Sequence, residues 1–165
     1  MKLRVHHLFC SALYIGKGYS EDFCKNMDSV VRKLWVENPH ESIPTNEPKE
    51  DDEKVELVIC PDCICQECPN LTETGCSLDD NNVVSKDEKL AKRLGLEINR
   101  GYFVSELLHQ TAENMTEEIF ETSCHNCEWY QEGLCSYEKL AERYHDYSLL
   151  FSLSPSPKQD TQCSK

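Results

Sequence analysis

Two stretches of this chain repeat one cysteine spacing: residues 65–76, CQECPNLTETGC, and residues 124–135, CHNCEWYQEGLC, both read C-x2-C-x7-C. Two residues between thiolates let the backbone turn so that both sulfurs face the same inorganic partner. Each stretch also carries a glycine shortly before its last cysteine, Gly75 and Gly133, where a chain folding back on a metal needs a permissive backbone. A cysteine packed as a small core hydrophobe needs no such regularity. Cys65, Cys68, Cys76, Cys124, Cys127 and Cys135 are therefore the expected metal ligands.

The number of ligands then separates the candidate metals. Structural zinc takes four tetrahedral N or S ligands, which Cys65, Cys68, Cys124 and Cys127 would satisfy while leaving Cys76 and Cys135 surplus. Iron–sulfur clusters are held by thiolates drawn from separated segments. Two all-cysteine triads with a remote fourth ligand thus favour iron–sulfur, 4Fe-4S above other types, with zinc as the alternative. Cys10 is the first remote candidate. It follows His7 by three residues and His6 by four, on one helical face with them, and the two histidines are read as neighbours that hydrogen-bond and orient the site. Cys60 and Cys63, in CPDCIC, are the candidates for an eighth ligand, so one cluster or two can be accommodated.

The bacterial ferredoxin run C-x2-C-x2-C-x3-C-P is absent. A thiol nucleophile at Cys10, activated by an adjacent imidazole, is the lesser reading of the same residues, and no catalytic residue is assigned. Trp129, just beyond Cys127, is expected to shield the cluster from water and so tune its potential. Cys24 reads as core and Cys163 as a bystander in the tail.

Composition limits the function classes. At 165 residues, with 39% apolar and 28% charged residues, the chain fits one compact globular domain. A formal charge of −13 argues against a nucleic-acid partner, whose phosphates need Lys and Arg, and suits docking to a basic redox partner protein instead. No run approaches the roughly 20 apolar residues of a membrane span. The opening MKLRVHHLFC is interrupted by Arg4, His6 and His7 and reads as mature protein rather than a signal peptide. Eleven cysteines without a secretion signal point to the cytoplasm, where thiols stay reduced and free to bind metal.

Several elements must position these cysteines. Lys2–Val5 and Val55–Cys60 read as short strands that pair. His6–Tyr14 is an apolar helical turn or two. Ser20 to about Val36 is an amphipathic helix, with Phe23, Met27, Val30, Val31 and Leu34 at three- and four-residue spacing and Ser20 as its cap. Gly16-Lys17-Gly18-Tyr19 is a turn leading into it, not a phosphate loop. Ser85–Glu88 has the capping-box spacing for a helix that stops at Gly95. Further helices are expected over Ser105–Asn114, Thr116–Glu121 and Ser136–Phe151, the last with Leu140, Tyr144, Tyr147 and Phe151 on one face. The expected fold is α+β and mainly helical: a single domain over 1–152 with a small two-stranded sheet, two cysteine-rich metal-binding loops and a solvated acidic loop over 38–54. A disordered tail follows over 153–165.

With these segments in place, the chain resembles a prokaryotic family, domain of unknown function 1284. The resemblance rests on Leu3-Arg4-Val5-His6-His7-Leu8-Phe9-Cys10, Gly16-Lys17-Gly18-Tyr19-Ser20, Asn26-Met27, Pro61-Asp62-Cys63-Ile64-Cys65 with Cys68, and Cys124, Cys127, Trp129 and Cys135, across most of residues 2–150. It implies iron–sulfur binding and no assigned reaction. Cys63, where the family is usually acidic, and Cys60 depart from its pattern, and the loop over 38–54 is longer than usual. The function expected on these grounds is a redox or electron-transfer protein, or an accessory to an anaerobic enzyme. The alternative is a zinc-stapled interaction module.

Overall fold

A computed structural model describes residues 1–35, 54–78 and 82–152, with side chains through Tyr147. The predicted acidic loop, Lys54 apart, and the predicted tail with Cys163 lie outside the described residues. The described chain runs β1 (Lys2–Arg4), α1 (His7–Leu13), α2 (Glu21–Leu34), β2 (Lys54–Val58), a 3-10 turn (Cys65–Glu67), β3 (Leu71–Thr72), β4 (Gly75–Cys76), α3 (Val83–Leu94), β5 (Gly101–Phe103), α4 (Val104–Asn114), α5 (Glu117–Cys124), α6 (Glu128–Gln131) and α7 (Tyr137–Ser152). The fold is α+β and mainly helical.

β-Branched and leucine side chains make β1 and β2 strands, and they pair in parallel with Leu3 opposite Leu57. The sheet has a third strand that the sequence reading lacks, because β5 joins β2 antiparallel with Tyr102 opposite Val55. Three residues are too few to show a period. Parallel pairing has a positional consequence: the carboxyl ends of β1 and β2 lie side by side, so the segments leaving them, His6–Cys10 and Cys60–Cys68, emerge together.

The helices follow their apolar spacing. Ser20 caps α2 by accepting the Phe23 N–H at 3.1 Å, and Phe23, Met27, Val30 and Leu34 face inward. The α3 helix starts at Val83, two residues before the expected capping box, so Ser85 is an interior residue and caps nothing. It stops at Leu94, followed by Gly95, as expected. Thr116 caps α5 through the Ile119 N–H, and α5 continues past Glu121 to end on Cys124.

Leu3, Leu8, Met27, Leu34, Leu57, Leu107, Phe120 and Tyr144 form a buried core between the sheet and helices α1, α2, α4, α5 and α7. Each large apolar side chain so buried contributes about 1.5–3 kcal/mol. Polar atoms inside it are paired: Trp35 Nε1 donates to Ser11 Oγ at 3.1 Å, and Ser11 Oγ donates to the Leu8 carbonyl at 3.2 Å. Trp35 also meets Tyr144 edge-on with ring centres 5.0 Å apart. This packing holds α1 against α7 and fixes where His6, His7 and Cys10 stand.

Candidate metal centre

Both C-x2-C pairs make the same local turn. The Cys68 N–H donates to the Cys65 carbonyl at 3.0 Å, and the Cys127 N–H to the Cys124 carbonyl at 2.8 Å. The chain then reaches the third cysteine by different routes. In the first segment β3 and β4 form a hairpin that sets Cys76 opposite Leu71, whose N–H donates to the Cys68 carbonyl. In the second, α6 ends at a left-handed Gly133 before Cys135.

Cys10 joins the second segment. Burial, and then the thiols of Cys127, Cys124 and Cys135, push Cys10 well above its ordinary value. Burial also pushes Cys124 up to about 12, with Cys127 and Cys135 adding to it; Cys135 is raised by burial and by Cys127. Four thiols therefore share one neighbourhood, drawn from α1, the end of α5, the turn before α6 and the loop before α7. Lys86, on α3, is the cation beside this group and opposes the shift at Cys10 and Cys124.

Cys68 stands near Cys76, and Asp62 stands near both Cys68 and Cys65. Burial raises Cys68, and Cys76 and Asp62 add to the shift; burial and Asp62 push Cys65 up to about 12. The coordinating atoms of His7, Asp62 and Cys65 all lie within 4.8 Å of one another. Tyr19 stands beside Cys127, Cys10 and Cys68, raised by burial and then by these three thiols. It packs on Trp129 with ring centres 5.1 Å apart and on Phe23 at 5.2 Å, so Trp129 meets the site through Tyr19.

Two buried aspartates, neither singled out in the sequence, organise the histidines. Asp62 accepts the Arg4 N–H and His7 Nδ1 on one oxygen, both at 2.6 Å, and the Ile64 and Cys65 N–H groups on the other at 3.0 and 3.1 Å. Burial opposes its charge, but His7 and these donors hold its carboxyl well below the usual range. Asp87, on α3, accepts Arg4 Nε at 2.8 Å, the His6 N–H at 2.9 Å and His6 Nδ1 at 2.7 Å. Burial opposes its ionisation too, and His6 and Arg4 outweigh it. Burial, followed by His7, lowers His6 to about 4, so at neutral pH its Nδ1 carries the hydrogen given to Asp87. His7 Nδ1 likewise donates to Asp62, because an ionised Asp62 only accepts.

Arg4 is 2% exposed, and its Nη2 is a buried side-chain nitrogen without a hydrogen-bond partner. It lines a cavity of about 370 Å³ together with Cys60, Cys76 and Val83. Cys60 is exposed. Cys63 turns its sulfur to Met1 Sδ at 3.9 Å, and Cys24 packs against the core.

A family model described as "Protein of unknown function (DUF1284)" matches residues 18–133. The matched span holds Cys65, Cys68, Cys76, Cys124 and Cys127, while His6, His7, Cys10 and Cys135 fall outside it. No curated protein and no solved structure matches the chain. Among the described residues, no helix is long and apolar enough to cross a membrane.

Proposed function

The chain belongs to the DUF1284 family, and from that premise we propose that it is an iron–sulfur protein with two centres. One would be held by Cys10, Cys124, Cys127 and Cys135, the other by Cys65, Cys68 and Cys76. The observation that carries this reading is the gathering of Cys10 with three cysteines more than a hundred residues away in sequence. Four half-buried thiols in one neighbourhood without a bound cation repel each other once ionised, and a metal centre removes that penalty.

Ligand count supports iron–sulfur over zinc, because one tetrahedral zinc held by the two C-x2-C pairs leaves Cys76 and Cys135 surplus. Arg4 Nη2 supports a bound anionic centre of either metal, because a buried guanidinium N–H without an acceptor costs about 1–3 kcal/mol or more. A thiolate-ligated centre beside Cys65, a neighbour of Arg4, would supply that acceptor.

Such a centre, when bound, accepts and gives up single electrons. The residues of this chain exclude water from it, through Tyr19, Phe23 and Trp129, and balance its charge, through Arg4 and Lys86. An acidic surface is complementary to a basic redox partner, and a role as electron-transfer protein or accessory to an anaerobic enzyme in the cytoplasm follows. Anaerobic purification with iron, sulfide and zinc quantification tests the reading: brown protein with comparable iron and acid-labile sulfide is the expected outcome. Colourless protein with stoichiometric zinc would replace it with a zinc-stapled interaction module.

A further inference from the structure

Resting on the iron–sulfur reading above, we propose that His7 is the fourth protein ligand of the centre at Cys65, Cys68 and Cys76, making it a site of three thiolates and one imidazole. The parallel pairing of β1 and β2 brings His7, just beyond one strand, against Cys65, just beyond the other. The His7 side chain is 12% exposed, and one of its ring nitrogens lies within 4.8 Å of the Cys65 sulfur. Its Nδ1 is tied to a buried carboxylate, the arrangement that fixes the tautomer and ring orientation of metal-binding histidines and leaves Nε2 with its lone pair for the metal.

Asp62 belongs to the same tight group of atoms but is not a ligand. A carboxylate offers about four acceptor positions, and Arg4, His7, Ile64 and Cys65 occupy them in pairs on the two oxygens. Asp62 is a positioning residue that caps the Cys65 turn and aims the imidazole at once. The cysteine alternatives are placed less well: Cys63 faces Met1, and Cys60 is exposed at the rim of the neighbouring cavity. His6 is committed to Asp87 instead, bonded to it through Nδ1 with Lys86 nearby, although its ring lies against that of His7 with centres 4.2 Å apart. Imidazole in place of a thiolate would remove one negative charge from the centre and so raise its reduction potential relative to a four-thiolate centre.

The test uses the full chain, purified anaerobically with ¹⁵N-histidine, reduced and studied by pulsed electron–nuclear double resonance. The expected result is a ¹⁵N coupling from one directly bound imidazole. It disappears in His7→Ala and in His7→Cys, the latter keeping its iron, and it persists in His6→Asn and Cys60→Ser. Iron and sulfide without any ¹⁵N coupling, coupling that survives His7→Ala, or loss of half the iron on Cys60→Ser would each overturn the ligand assignment and leave the iron–sulfur reading standing. Wild-type protein lacking iron and sulfide would overturn both.

Discussion

The two C-x2-C-x7-C segments start alike and end differently. Both open with the same i+3 to i backbone turn between the paired cysteines. Beyond it, TETG closes a hairpin at Gly75, with φ 128°, whereas EWYQEG winds a turn of helix and ends at Gly133, with φ 73°. Helix formers between the second and third cysteines favour winding, and Thr-rich sequence with a glycine favours reversal in a hairpin. Equal spacing therefore repeats a ligand count without repeating a structure. The partners differ too: the helical segment collects a fourth thiol, Cys10, and a lysine, while the hairpin segment collects His7, Asp62 and Arg4.

The largest test of that difference removes one thiolate from each group. If the groups are separate centres, Cys127→Ser and Cys65→Ser each lose about half the iron and sulfide, measured per chain, and the double variant loses all of it. Each loss should lower stability as well, because metal binding to ligands that the unfolded chain does not hold together contributes to folding. A single cluster shared across the groups would instead lose all its iron in either variant, and the comparison would collapse.

Asp62 and Asp87 sharpen the contrast at a smaller scale. Asp87→Ala leaves the Arg4 guanidinium buried without its carboxylate, a change costing about 3–5 kcal/mol; urea midpoints should fall accordingly even in protein stripped of metal. Asp62→Asn keeps the volume but loses acceptor capacity at the Cys65 turn. Its main effect is expected on iron retained by the hairpin segment, with the four-thiol centre unchanged. Equal loss from both centres would mean that the two sites are not independently supported.

His6 adds a pH dependence of its own. His6 is held near 4, against 6.5 for a free histidine, so between those values the unfolded chain binds more protons than the folded one. Stability therefore rises with pH across that window and is lost on acidification from 6.5 towards 4, by about 2–3 kcal/mol. The carboxyls of Asp62 and Asp87 are lowered, so their contribution is present above the unfolded carboxylate value and is lost only at more acid pH. Urea titrations of metal-free protein at pH 7 and 5 should show the loss in wild type and a flatter response in His6→Asn.

Legibility in the sequence followed period and locality. The α2 stripe, the Ser20 cap, the stop at Gly95 and the VELV strand were readable because the signals lie within one element. Strand β5, the β3–β4 hairpin and α6 were not, being two to four residues long and too short for any period to show. Within the site, the six triad cysteines stood out by repetition. Arg4, Asp62 and Asp87 did not, because their contacts join residues 58 and 83 apart and such pairs leave no spacing to read. One signal was available: Pro-Asp directly before a cysteine turn is a capping sequence, and Asp62 caps the Cys65 turn.

The smallest effect probes the divergent closing turns themselves. Gly133 receives the helix end in the Schellman pattern, with its own N–H on the Tyr130 carbonyl and the Leu134 N–H on the Trp129 carbonyl. A Cβ there would meet nothing within 4 Å, so Gly133→Ala carries only the left-handed backbone penalty, about 1 kcal/mol. Gly75 lies at a φ that L-residues hold only under strain, so Gly75→Ala should cost more, about 1–3 kcal/mol, and should loosen Cys76 as the hairpin reopens. Denaturation midpoints paired with iron content check this: Gly133→Ala is expected to keep both centres, and Gly75→Ala to deplete the one at Cys65, Cys68 and Cys76. If the two substitutions behave alike, the separate closing routes do not govern how firmly each third cysteine is held, and the ligand spacing alone does.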